Sequence, residues 1–153
     1  MRTVETAEGE RYLLLKEASD ASLVRDPATG EERYIDADRL SDADGEPPLV
    51  AAASGVSEPA RRLLTAVHDE QSLGLVIELV DRGPVAAVDL LGAYELCESD
   101  FHGVVTELRA AELVSERQVA GERGYDATEM AREAVEHLRA EGATAETHGT
   151  DAG

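Results

Sequence analysis

Residues 98–128, ESDFHGVVTELRAAELVSERQVAGERGYDAT, change hydrophobic period partway along, and that change decides the fold. In the first part Phe101, Val104, Val105 and Leu108 recur three and four residues apart, which predicts a helix. From Leu113 onward the pattern alternates. Leu113 to Gln118 reads as a strand, Val119-Ala120-Gly121-Glu122 as a turn, and Arg123 to Ala127 as the returning strand. Thr128 then offers a cap for a last helix carrying Met130, Ala134, Val135 and Leu138.

Two more helices precede this stretch. Leu75, Val76, Leu79 and Val80 mark one that stops at Arg82-Gly83-Pro84, where glycine suits a helix end and proline cannot continue it. Val85 is expected to make a single bridge. Ala87 to Tyr94 forms the next helix, expected to bury Val88, Leu90 and Leu91, and Glu95-Leu96-Cys97 turns into the helix that holds Phe101. Further upstream Ser57 offers an N-cap, with Glu58 and Pro59 in the first turn. That helix, to about Asp69, places Leu63, Leu64 and Val67 on one stripe.

The chain therefore divides by composition. Residues 1–45 form a small β-rich segment, 46–56 a linker, 57–140 the helical domain with its hairpin, and 141–153 a tail expected to be disordered for want of large apolar side chains. In the first segment Tyr12-Leu13-Leu14-Leu15 is a strand candidate. Asp26-Pro27-Ala28-Thr29-Gly30-Glu31 supplies turn chemistry for a hairpin from about Leu23 to Ile35, and Asp36 to Leu40 adds one helical turn. Gly45 precedes the linker, and Pro47, Pro48 and Gly55 punctuate it.

Charge narrows the function. The 153 residues hold 33 acids against 14 bases, a net charge of −19, which excludes a typical basic nucleic-acid-binding domain. Thirteen of the cations are arginines, and Lys16 is the only lysine. Acid excess with almost no lysine resembles the proteins of salt-accumulating haloarchaea. In molar salt the Debye length falls to about 3 Å, which screens the self-repulsion of such a chain. With 42% hydrophobic residues a core is within reach, and it must be aliphatic, since Phe101 and four tyrosines are the only aromatics. No apolar run is long enough to span a membrane, so no membrane partner and a cytoplasmic location are expected.

The order helix, helix, helix, β-hairpin, helix over residues 72–140 resembles the winged helix-turn-helix domain of ArsR-, MarR- and PadR-type transcriptional regulators. Two phrases carry the resemblance. Leu108-Arg109-Ala110-Ala111-Glu112-Leu113-Val114 is similar to the exit L-x-x-x-G-L-V from the recognition helix into the wing. Tyr125-Asp126-Ala127-Thr128-Glu129 is similar to the return Y-x-L-T into the last helix. Glu112 stands where the family has glycine, and Ala127 where it has a larger aliphatic residue. The fold class implied is α+β, a winged helix-turn-helix domain behind an N-terminal β-hairpin segment.

The resemblance implies double-stranded DNA as partner. Helix 98–111 would enter the major groove and the wing, 113–127, would touch the adjoining backbone. Burial of Phe101, Val104, Val105 and Leu108 turns Ser99, His102, Gly103, Thr106 and Arg109 outward, with Arg117, Gln118 and Arg123 on the wing. Against this, residues 98–118 carry five acids (Glu98, Asp100, Glu107, Glu112, Glu116) and two arginines (Arg109, Arg117). At high salt the counterion-release gain shrinks, and register would rest on hydrogen bonds from Ser99, Thr106 and the wing. The competing expectation is a protein–protein interaction or dimerisation module without DNA binding. For a homodimer the interface candidates are Leu63, Leu64, Val67, Val135 and Leu138.

Enzymatic chemistry finds little support, and no catalytic residue, metal site or cofactor is expected. His68, His102, His137 and His148 have no metal-ligand spacing. Cys97 stands at the expected N-cap of the third helix, where the dipole lowers a thiol pKa, so a redox-sensing thiol is conceivable beside its plainer role as a small cap residue. Glycine-rich nucleotide motifs are absent.

Overall fold

The computed structural model describes residues 1–149, with side chains to Ala140. It is a mixed α+β structure that separates into two compact units, Met1–Glu58 and the chain from Pro59 onward.

The first unit is a five-stranded antiparallel sheet: β1 (Arg2–Glu5), β2 (Arg11–Lys16), β3 (Ala21–Arg25), β4 (Glu32–Asp36) and β5 (Ser41–Asp42), in the order β4-β3-β2-β1-β5. The expected hairpin is its β3–β4 pair, with Val24 facing Arg33 in the register. Its turn is held by the Asp26 carboxylate, which accepts from the amide of Ala28 at 2.8 Å, while Gly30 takes φ 75°. The strand expected at 11–17 is β2, and it ends at the exposed Lys16. Val4, Tyr12, Leu14, Val24 and Ile35 form the core of this unit. The sheet has two strands, β1 and β5, beyond the expected hairpin segment, because Thr3 and Val4 are buried side by side without an alternating pattern to announce them.

Residues 46–56 correct the expectation of a linker. They contain α1 (Pro48–Ala53), which packs on β1 and β2. The two prolines that read as punctuation start the helix: Pro47 is its N-cap, and Pro48 occupies the first turn, where the missing N–H costs nothing. Ala51 is fully buried. Gly55 follows, so close to the β3–β4 turn that a Cβ there would lie 2.0 Å from the Pro27 carbonyl oxygen.

In the second unit α2 (Glu58–Ala66) and α3 (Glu70–Arg82) are followed by β6 (Val85–Ala86), α4 (Ala87–Tyr94), α5 (Glu98–Ala110), β7 (Val114–Val119), β8 (Glu122–Ala127) and α6 (Glu129–Gly149). Asp69 does not end α2 but caps α3, accepting from the Ser72 amide at 2.8 Å. Gly83 closes α3 at φ 78°. Helix α4 buries Leu90 and leaves Val88 59% exposed, which corrects the expected face. Ala87, Leu90 and Leu91 share the inward stripe, and Val88 lies one helical step outside it. Helix α6 runs on through Gly149, past the end expected near residue 140. The stretch 141–149 has no proline to stop a helix. Residues 150–153 of the expected disordered tail lie outside the described residues.

β6, β8 and β7 form a three-stranded antiparallel sheet with β8 in the middle. Leu79, Leu90, Leu108 and Leu113 are buried between this sheet and the helices. Each such leucine contributes roughly 1.5–3 kcal/mol of transfer free energy. Phe101 of α5 meets Tyr125 of β8 edge to face, ring centroids 5.8 Å apart. Gly124 is where β6 crosses closest: a Cβ there would stand 2.6 Å from the Val85 carbonyl oxygen and 2.7 Å from Val119 Cγ2.

Two stability outcomes follow from this backbone. Gly124→Ala should lower stability by about 2 kcal/mol or more through overpacking against β6, read as a fall in the denaturation midpoint. Glu112 holds φ 62°, the left-handed region that favours glycine. Glu112→Gly should therefore raise stability by about 0.5 kcal/mol, the relief of left-handed strain exceeding the added chain entropy and the loss of the half-exposed Arg62 pair at 3.4 Å.

Candidate nucleic-acid interface

The candidate face is built by α5 and the β7–β8 hairpin. Cys97 is the N-cap residue of α5, in extended backbone and without a side-chain cap bond to the helix. Its thiol shares a 3.2 Å hydrogen bond with the Ser99 hydroxyl, which holds its pKa below the usual thiol value. Glu98 and Asp100 occupy the first turn, where the helix dipole favours anions. Phe101, Val105 and Leu108 are buried and Val104 is half-buried, so the inward stripe is the expected one. Ser99, His102, Gly103, Thr106 and Arg109 are all exposed, together with Asp100 and Glu107.

Two of these polar groups are partly committed. The Thr106 hydroxyl donates to the carbonyl of His102 at 2.7 Å, leaving its lone pairs available as acceptors. His102 Nε2 lies 3.8 Å from Glu98, and His68 Nε2 lies 3.4 Å from Glu107. An open hollow of about 430 Å³ runs beside the helix, with Asp69, Asp100 and Glu107 among its lining residues. Negative charge therefore surrounds the exposed face.

The hairpin turn is tight. Ala120 and Gly121 have φ 52° and 83°, two positive values in succession, as a two-residue hairpin loop requires. The register pairs Glu116 with Tyr125, Arg117 with Gly124 and Gln118 with Arg123. Strand side chains alternate, so Glu116, Gln118 and Arg123 share one face of the hairpin and Arg117 lies on the other. Arg117, Gln118 and Arg123 all lie on the wing as expected, but the register separates the first from the other two.

Each arginine is held by a carboxylate. On the α5 side, Glu116 Oε2 is 3.3 Å from Arg109 Nη1 and its Oε1 is 3.0 Å from Arg123 Nε. On the opposite side the buried Asp126 takes Arg117 at 3.3 Å and Arg132 of α6 at 3.0 Å. Glu116, Asp126 and Arg132 were not singled out from the sequence. Hairpin register puts Glu116 diagonal to Arg123, a signal that could have been read once the turn was placed at Ala120-Gly121. The approach of Arg109 needs the tertiary packing of α5 and has no local signature.

The five dimer candidates separate as well. Leu63 and Val135 lie in the core of this unit, 1% and 3% exposed, and are not available to a second copy. An amphipathic stripe on α2 or α6 does not say what covers it, and the structure turns these two residues into the core of their own unit. Val67 is half-buried, and Leu64 and Leu138 remain exposed at 61% and 41%. Among the described residues no group of histidine, cysteine and carboxylate side chains is arranged to hold a metal ion, and no helix is long and apolar enough to cross a membrane. His148 lies beyond the described side chains.

No curated protein matches the chain. Among solved structures it is similar to an ArsR family transcriptional regulator, with 17% identity and a TM-score of 0.41, over 60% of this chain and 94% of that one. A family model matches residues 1–139, and by that match the chain belongs to DUF7346, a family of unknown function.

Proposed function

We propose that the second unit is a winged helix-turn-helix domain and that the protein is a non-catalytic, DNA-binding transcriptional regulator of the cytoplasm. The observation that carries this reading is the arrangement of α3, β6, α4, α5 and the β7–β8 hairpin. A short strand between the first two of these helices pairs with the returning hairpin strand, and the helix before the hairpin keeps a small, polar outer face. Ser99, Gly103 and Thr106 leave room for a base edge, while Gln118 and Arg123 stand on the same side as Arg109. Serine and threonine contact bases, and arginine and glutamine contact bases or phosphates.

The acidity of the face accords with work at high salt. Where counterion release contributes little, hydrogen bonds and shape carry the complex, and surface carboxylates cost less than they do in dilute buffer. A homodimer through Leu64, Val67 and Leu138 would set two copies of α5 one helical turn of DNA apart, about 34 Å.

A second reading is favoured by one observation, the commitment of Arg109, Arg117 and Arg123 to carboxylates of the same chain. It makes the domain an interaction module for a basic protein partner. Enrichment of genomic duplex fragments across a potassium series separates the two, since a module without DNA contact enriches nothing at any salt concentration. For the regulator, Arg109→Ala with Arg123→Ala should weaken binding to all sequences alike and flatten its salt dependence. Thr106→Ala should instead change the preference among sequences. Arg117→Ala, on the other hairpin face, should leave both unchanged. In light scattering, Leu64→Glu with Leu138→Glu should halve the mass of the wild-type particle while the circular dichroism spectrum is retained.

A further inference from the structure

Glu116 bridges two guanidinium groups of the candidate face. Its two carboxylate oxygens face two different elements: Oε1 meets Arg123 Nε on β8 at 3.0 Å, and Oε2 meets Arg109 Nη1 in the last turn of α5 at 3.3 Å. A phosphate offers the same array, two oxygens on one anionic centre, to the same pair of guanidinium groups. The glutamate side chain is 34% exposed and the arginines are 48% and 62% exposed, so the three groups sit at the solvent boundary of the face rather than inside the core.

We propose that Glu116 is an intramolecular competitor for the DNA backbone, occupying Arg109 and Arg123 until a phosphate displaces it. This rests on the DNA-binding reading above and names how that same face is regulated. Ion pairs between half-exposed groups are weak enough to open. Once they open, the carboxylate remains beside the phosphate and cancels one of the two positive charges presented to it. Binding then gains little from counterion release, and the face discriminates against duplexes that offer only charge. Selectivity is left to the groups that read bases.

The competitor has a measurable signature. Glu116→Gln keeps the size and the hydrogen-bonding oxygen but releases the charge, so the net positive charge facing phosphate rises from one to two. The logarithm of affinity should then fall with the logarithm of salt more steeply by about 0.9, which amounts to about eightfold over one decade of concentration. In a titration of pooled genomic duplex fragments, Glu116→Gln should bind about eightfold more tightly than wild type at about 0.3 M potassium chloride, and equally at about 3 M. Circular dichroism at each point confirms that both chains are folded.

Two variants guard against a general charge effect. Glu122 is exposed on the same hairpin and pairs with no arginine among the described residues. Glu122→Gln should change affinity by less than about twofold, because an unpaired carboxylate acts only through the screened field. Arg109→Ala and Arg123→Ala added to Glu116→Gln should abolish its gain. If Glu122→Gln matches Glu116→Gln, or if the gain survives removal of both arginines, the competitor role is overturned while DNA binding stands. If neither wild type nor Glu116→Gln retains duplex at any salt concentration, the DNA-binding reading itself falls, and this inference with it.

Discussion

The second unit depends on β8 lying in the middle of its sheet, and on the absence of a side chain at Gly124. Only there does the backbone of β6 come close enough for Val85 and Ala86 to pair with Tyr125 and Gly124. That pairing ties the turn between α3 and α4 to the hairpin. Tyr125, the next residue, presents its ring to Phe101 and so fixes the hairpin against α5. The distance from the last turn of α5 to Glu116 is a consequence of these two contacts. Without them the hairpin would be a two-stranded ribbon, which is marginal in water on its own.

Charge on the hairpin is organised by strand alternation rather than by its total. One face carries Glu116 with Arg109 and Arg123, the other Asp126 with Arg117 and Arg132. Each face is thus an arginine–carboxylate–arginine set, and each fastens the hairpin to a different helix, α5 or α6. The buried carboxylate of Asp126 requires its two partners, because an unpaired charge at that depth is costly. Glu116 has no such requirement. It is the exchangeable member of the two.

Much of the second unit was legible because its signals are local. The change of period at Leu113, the glycine after α3 and the two-residue turn at Ala120-Gly121 each reports a backbone state through the residues that adopt it. The positive φ of Glu112 shows that its position makes the demand usually met by glycine, although a glutamate occupies it. What escaped reading depended on distant partners. Pro47 and Pro48 looked like punctuation because their role as a helix start shows only when Ala51 is seen buried against the sheet. Leu63 and Val135 were assigned to an interface because a stripe on a helix does not say whether its cover comes from the same chain. The five acids of residues 98–118 are countable in the sequence, but among 33 carboxylates no local mark separates one paired to arginine from the rest.

The solitary lysine at the end of β2 also has a practical meaning. Lys16 is exposed and belongs to the first unit, so the chain has a single side-chain amine, and it lies outside the unit that bears α5 and the hairpin. Among side chains, acylating reagents would place a dye, a biotin or a surface tether on Lys16, with the α-amine of Met1, also in the first unit, as the competing group. Amine chemistry on Lys16 is thus separate from thiol chemistry on the exposed Cys97, and it leaves the arginine-bearing hairpin unmodified.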